Sequence, residues 1–397
     1  MLHYQGRDPF ATSRCAGTGR GWRQSGTGFL FTVLGLLSAP AFCQSIAVVP
    51  PIVAVPSYGG GGSSESFLYF RLGDGEAFLV DRLKRDPLAV HRRRLAENLF
   101  RAIGRAADQP AVAGEMLLEP IHGGDGSVRA ALYVETPIGY VAYFHQLGRD
   151  SRIGEFSVAI GRPFAPLAAA DGNFALLMER DGSGKTTTAY LYHATTGKCL
   201  YFAGVNKLET DLEATFTSPL PTLTGRVAVA PLHAGSKATA GYLVIDSGNG
   251  DLYFYDLFPE RAGQLAVTKS SRNLFEVFSR ETRYSSPQRF LPVSIQESPR
   301  VTRHVFLFDA ATGEMALVEN IDDRTRAPAL RKVDRNLDTS LPGNDRMTRV
   351  FAAVANVTGS GATVGIWLLD NQTGVGVYIA NPALPPAMTV TPVAFGQ

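Results

Sequence analysis

The sequence predicts an all-β chain built as a closed ring of six similar antiparallel sheets. Three observations predict it. Six copies of an apolar–turn–apolar segment recur along the chain, a further apolar stretch precedes each copy at a fixed distance, and strand-like residues are left over at the carboxy terminus. At 397 residues, 45% hydrophobic and 19% charged, the composition is that of a globular protein, long enough for one large all-β domain.

The amino terminus reads differently from the rest. Arg7, Arg14, Arg20 and Arg23 precede FLFTVLGLL at 29–37, and SAPAFCQS then supplies small residues, which is the order of a secretory signal. The apolar run is shorter than the roughly 20 residues that span a bilayer. Ala39-Pro40-Ala41 fits the small-x-small cleavage pattern, so 1–41 is expected to be removed and 42–397 to form one domain, periplasmic or extracellular. Ala41-Phe42-Cys43 fits less well, and the Phe42 ring argues against lipid attachment at Cys43. Losing 1–41 removes four arginines and Asp8, taking the net charge from +2 to −1. Such a mature chain has no global electrostatic reason to bind nucleic acid, whose affinity rests on neutralising phosphates. Cys15 goes with the leader, Cys43 sits at the cleavage site and Cys199 has no obvious partner, so the core and not a disulfide framework must hold the fold.

The six copies are FLYFRLGDGEAFLV, ALYVETPIGYVAYF, AYLYHATTGKCLYF, YLVIDSGNGDLYFY, VFLFDAATGEMALV and IWLLDNQTGVGVYI, aligned on Gly75, Gly139, Gly197, Gly250, Gly313 and Gly374. The glycine suits the left-handed position of a short hairpin loop, and the aromatic and branched flanks suit buried strands. Four residues earlier stand Arg71, Glu135, His193, Asp246, Asp309 and Asp370, where a short acceptor can bond the N–H groups of its own turn. An upstream strand begins 22 or 23 residues before each glycine: IVAVPS, MLLEPIH, ALLMER, VAVAPLH, LPVSIQ and AAVANV. The connector that follows it carries Gly62, Gly126, Gly184 and Gly361 at one aligned position, with Lys237 and Arg300 in the other two copies.

That alignment decides how GSGKT at 182–186 is read. A phosphate-binding loop needs an earlier glycine, where this chain has Glu179, and a following helix. TTTAYLYH is a strand instead, so GSGKT is a hairpin connector. DSGNGD at 246–251 has glycine where a calcium loop needs alternating acids, and is read as a turn.

Three strands per copy leave room for a fourth, and PFAPLAAADG at 163–172 is one candidate. MTVTPVAFGQ at the carboxy terminus is expected to complete the first sheet beside QSIAVVPPIVAVPS, so that pairing of the two ends closes the ring. The expectation is a six-bladed β-propeller. The pattern hxhDxxTGxh, clearest in FDAATGE, resembles the repeat of quinoprotein-type propellers. The resemblance implies the fold; it does not imply the cofactor, because the tryptophan those families carry after the glycine is replaced here by Tyr, Phe, Ala or Val, and Trp367 lies before its turn.

Residues 82–105, RLKRDPLAVHRRRLAENLFRAIGR, place Leu95, Leu99 and Ile103 at helical spacing amid arginines. An inter-blade amphipathic helix is expected there, packing its apolar stripe on a blade, with membrane contact through its basic face as the further option. SSRNLFEVFSRE at 270–281 is a weaker echo. GGGGSSES at 59–66 reads as a flexible connector.

The sequence singles out no catalytic, cofactor-binding or metal residue. No HxH, HExxH, CxxC or GxSxG pattern occurs. His91, His122, His145, His193, His233 and His304 are spread over different copies; His122 and His233 are the pair to watch, since both end an upstream strand and could face one end of the channel. The function expected is a binding or scaffolding module of the cell envelope, with a protein or polysaccharide partner. The rival is an enzyme acting on an extracellular polysaccharide at the central channel, which would need two or more carboxylates and a His or Arg to converge there.

Overall fold

Largely apolar strands joined by short turns fold into six four-stranded antiparallel sheets among the described residues. The first holds β1 (Ile52–Tyr58), β2 (Ser64–Arg71), β3 (Glu76–Asp81) and β4 (His91–Asn98). The second holds β5 (Met116–His122), β6 (Val128–Glu135), β7 (Tyr140–His145) and β8 (Ser157–Pro163), and the third β9 (Phe174–Arg180), β10 (Thr186–His193), β11 (Cys199–Ala203) and β12 (Glu213–Phe216). The fourth holds β13 (Val227–His233), β14 (Thr239–Asp246), β15 (Asp251–Leu257) and β16 (Leu265–Asn273), and the fifth β17 (Phe290–Glu297), β18 (Val301–Asp309), β19 (Glu314–Glu319) and β20 (Ala329–Asn336). The sixth holds β21 (Phe351–Val357), β22 (Thr363–Asp370), β23 (Val375–Ala380) and β24 (Thr389–Ala394). This computed structural model describes residues 52–59, 62–81, 83, 86–102, 116–125, 128–135, 140–145, 157–163, 173–207, 213–235, 237–257, 263–283, 286, 288–297, 301–322, 327–337, 351–370 and 375–394, all within the unit Ala47–Gln397. The leader and its cleavage site lie outside them.

The first strands of the sheets touch in the cycle β1, β5, β9, β13, β17, β21 and back to β1. A separate apolar core fills each junction of that cycle. This is the architecture of a β-propeller. Burial of these side chains, at roughly 25 cal/mol per Å² of apolar surface, is the main source of cohesion. The closing junction packs Phe67, Val80 and Leu83 against Val354, Trp367 and Val393, and the Trp367 indole donates to the Pro87 carbonyl at 3.0 Å.

Closure differs from the expectation. β24 pairs with β23 of its own sheet, and β1–β4 complete the first sheet without it. The reason is that the fourth strand of each sheet follows its own outer hairpin; the surplus carboxy-terminal strand is the sixth sheet's own. In the second sheet that strand is Ser157–Pro163, and the remainder of PFAPLAAADG lies outside the described residues. Among the described residues, side chains and not an exchanged strand therefore join the ends of the ring.

The expected helix at 82–105 is also overturned. His91–Asn98 is a strand paired to β3, followed by a single turn, α1 (Leu99–Ala102); Arg82, Lys84, Arg85 and 103–105 lie outside the described residues. Its arginines stay soluble because β4 is the outermost strand: Arg92 lies over the Phe78 ring at 5.6 Å and Arg94 pairs with Glu76. Pairing has overridden helical spacing. The echo at 270–281 is likewise the end of β16 and a 3-10 turn, Leu274–Glu276. The basic helix therefore gives way to a strand and one helical turn.

The turn columns hold. Gly75, Gly197, Gly250 and Gly313 adopt φ of 71°, 73°, 76° and 73°; Gly139 and Gly374 lie outside the described residues. In the connector column Gly62, Gly184 and Gly361 have φ of 78°, 85° and 85°, and Lys237 shares the left-handed conformation at 68°; Gly126 and Arg300 lie outside. GSGKT is a corner: Gly184 N–H donates to Asp181 O at 2.8 Å, and Asp181 Oδ1 accepts from the N–H groups of Ser183 and Lys185. Of the 59–66 stretch, Ser64, Glu65 and Ser66 begin β2, and Gly62 N–H donates to Gly59 O at 2.8 Å.

Two further columns emerge from contacts. In five of the six first strands a backbone N–H at or next to the end donates to a buried hydroxyl at the start of the next sheet's second strand: His122 to Thr186, Arg180 to Thr239, His233 to Thr302, Gln296 to Thr363 and Val357 to Ser64, at 2.8–3.1 Å. The last of these bonds closes the ring. Each hydroxyl stands eleven residues before its aligned glycine, and Val128 fills that place in the second copy. Twenty-three residues after the glycine, Asn98, Asn273 and Asn336 end the fourth strands and donate back to the turn, to the carbonyls of Asp74, Asn249 and Thr312. A Cβ on Gly75 or Gly250 would strike the Oδ1 of that asparagine at 2.7–2.8 Å, so the glycine answers to space as well as to φ.

Candidate functional site

Six first strands of equivalent register bring one edge each to the central channel. Pro56, Pro120 and Pro231 stand fifth in β1, β5 and β13, on a free strand edge where proline costs no ladder bond and blocks further pairing. The beginnings of the strands enclose a cavity of about 310 Å³, at the lower end of the roughly 300–1,000 Å³ typical of small-molecule sites. All six sheets line it. Its walls are apolar side chains and backbone, among them Val53, Leu117, Val229 and Leu291, with Ser286, Gln288 and Glu119 as the polar side chains.

Glu119 stands fourth in β5. The same position is buried Val55, Leu177, Ala230, Val293 and Val354 in the other copies, which gives the carboxyl an apolar setting. Burial pushes its pKa up to about 7, against a smaller downward pull from Arg180. No hydrogen bond or ion pair from the described residues reaches the carboxyl oxygens, and no other ionisable side chain lines the cavity.

The other ends of the strands are polar. Arg180, the last residue of β9, has its Nη2 2.6 Å from Nε2 of His122, the last residue of β5. A guanidinium can only donate, so Nε2 accepts and the ring proton resides on Nδ1. The His122 ring stacks on Tyr58 at 5.5 Å. His233 ends β13 and is also buried. The two histidines therefore mark the same end of the channel, as their place in the repeat implies, with β9 standing between their strands in the cycle. Neither caps a strand in solvent.

The remaining histidines stay apart. His193 bonds Thr196 and stacks on Phe174, His91 stands 3.5 Å from Asp81, and His304 is 3.8 Å from Glu297; the side chain of His145 lies outside the described residues. The acceptor column is structural. Asp246 accepts from the N–H groups of Thr224, Gly225 and Gly248, and buried Asp309 pairs with Arg289 at 2.9 Å and accepts from Ala311 N–H. Glu179, beside Arg180 in sequence, turns into the third sheet and bonds Thr188. Among the described residues one carboxyl, that of Glu119, thus lines the cavity. Among the described residues no three His, Cys, Asp or Glu gather as a metal ion would require, and no helix is long and apolar enough to cross a membrane. Cys199 is buried, and that burial pushes its thiol up to about 12, far from the reactive range.

A propeller with an axial cavity is the class these observations define. No protein-family model and no curated protein sequence matches the chain. Among solved structures it is similar to the periplasmic gluconolactonase of Pseudomonas aeruginosa, at 13% identity over 86% of this chain and 85% of that one, with a TM-score of 0.46. It is similar also to a streptogramin B lyase, at 11% identity over 89% and 85% with a TM-score of 0.43. The WD40 domain of coronin from Toxoplasma gondii aligns at 13% identity over 88% and 77%, with a TM-score of 0.38.

Proposed function

We propose that the chain is an exported six-bladed β-propeller serving as a binding module of the bacterial cell envelope, and that the axial cavity is its ligand seat. The observation that carries this reading is the cavity itself: six sheets supply its walls, the walls are apolar, and a few polar groups are left to orient a guest, the usual composition of a small-molecule site. Cleaving a glycan calls for a pair of carboxyl groups flanking the bond; among the described residues one carboxyl, Glu119, lines the cavity, and its apolar walls suit a bound guest. The secretory leader supports the envelope as its place of work. The test is capture. Residues 42–397, incubated with envelope extract, desalted and denatured, should release a compound detectable by mass spectrometry that Ala353→Phe, which fills the cavity, does not release. Identical release from both proteins would refute the ligand seat, and retention of the full-length chain in the cytoplasm on fractionation would refute export.

A further inference from the structure

Glu119 is costly where it stands. Five of six copies bury an aliphatic residue at its position, and a carboxyl in apolar surroundings without a hydrogen bond is penalised on ionisation by several kcal/mol unless a partner arrives. The described chain supplies none within bonding range: Arg180, on the adjacent β9, acts on it through space and is bonded to His122. No other charged or titratable side chain lines the cavity from β1, β13, β17 or β21. The group that would satisfy both the free oxygens and the apolar walls is a hydrogen-bonding cation on a hydrocarbon body.

Resting on the reading of the cavity as a ligand seat, we infer that its guest is a small primary ammonium compound, the N–H groups donating to the Glu119 carboxylate and the apolar part packing on Val53, Leu117, Val229 and Leu291. An amine and an alcohol of equal length would bury the same hydrocarbon, so the difference between them isolates the carboxylate. A charge-assisted bond is roughly twice as strong as a neutral one, and here it forms against apolar walls. Ionisation of Glu119 is also linked to binding: a cation selects the carboxylate, so affinity rises as pH climbs through the region where Glu119 loses its proton.

The experiment is calorimetry of residues 42–397 with n-hexylammonium and n-hexanol at pH 6 and pH 8. Hexylammonium should bind at least about tenfold more tightly than hexanol at pH 8 and should weaken about tenfold at pH 6, whereas hexanol should not respond to pH. Glu119→Gln should bring the two probes within about threefold of each other and abolish the pH response; Ala353→Phe should abolish binding of both. Equal affinity for the two probes in the unmodified chain, no binding of hexylammonium, or an ammonium preference that survives Glu119→Gln overturns the inference. Those failures leave the ligand seat standing if extract capture still depends on Ala353, whereas probe binding that survives Ala353→Phe locates it outside the cavity and removes both. Circular dichroism and thermal midpoints of each variant establish that it is folded.

Discussion

Thr302→Val removes one oxygen atom and almost no volume, which makes it a clean probe of the stitches between sheets. Thr302 is 2% exposed, and its hydroxyl accepts the His233 N–H at 3.0 Å across the junction of the fourth and fifth sheets. With valine in place, the donor remains buried and loses that acceptor, a change that costs about 1–3 kcal/mol. In a folded unit of this size, at about 2 cal/mol/K of unfolding entropy per residue, the loss corresponds to a fall in Tm of roughly 1.5–4 °C. Differential scanning calorimetry reads the shift, and amide exchange of a peptide spanning 227–235 reads its location, since His233 N–H should lose protection first. Ser64→Ala repeats the test at the closing junction, where the hydroxyl also donates to Ala355 O at 3.2 Å. An unchanged midpoint together with unchanged protection at His233 would refute the claim that these hydroxyls hold neighbouring sheets together.

Glu119→Gln should alter the pH dependence of stability with a definite sign. The folded state holds this proton more tightly than the unfolded chain, with a pKa of about 7 against 4.5, so its contribution is complete below about pH 4.5 and is lost as pH rises through 7. The variant should match the unmodified chain near pH 4.5 in urea titrations and exceed it at pH 8 by on the order of 2 kcal/mol, the side chain's partial access to the cavity reducing the full shift. Arg289→Ala leaves the buried Asp309 carboxylate without its cation and should cost about 3–5 kcal/mol in the same titration, with Arg289→Ala/Asp309→Ala recovering part of it. Lys237→Gly should raise stability by about 0.5–1 kcal/mol, because the left-handed φ of 68° strains a residue with a side chain by about 1–2 kcal/mol and glycine gives back only part of that in chain entropy; a loss would show that the lysine side chain contributes more than its strain.

What could be read in the sequence was whatever recurs as one residue type in one column. The aligned glycines, the first three strands of each sheet and the corner at GSGKT follow from local chemistry that repeats, and even Lys237 was placed by its column. The fourth strands were harder, because an outermost strand has one neighbour and tolerates charge: HRRRLAEN and LRKVDRN carry the polarity of a connector and show their β character only in register with β3 and β19. The hydroxyl column was present as Ser64, Thr186, Thr239, Thr302 and Thr363, but a single polar residue at the head of an apolar run carries no weight until its partner in another copy is known. Asn98, Asn273 and Asn336 were lost for the same reason. Glu119 left a visible mark, an acid inside MLLEPIH where every other copy has an aliphatic residue, and the proline after it belongs to the column that marks the free edge. Turning that mark into a site requires the channel, which no linear spacing displays.

The manner of closure follows from which strand ends each copy. Every sheet takes its four strands from one continuous stretch, so among the described residues no backbone ladder ties β1–β4 to β21–β24, and there the last junction is held by the same means as the other five. The side chains there are suited to it: Trp367 is fully buried between Phe67 and Tyr378 and anchored to Pro87 O, and Ser64 both accepts from Val357 N–H and donates to Ala355 O. A tryptophan of this kind contributes about 3–5 kcal/mol when measured by truncation, comparable to the several ladder bonds an exchanged strand would add at about 1 kcal/mol each. The ring can therefore remain shut without a swapped strand, and its axis can keep an ionisable group in an apolar cavity at a cost that six packed junctions together sustain.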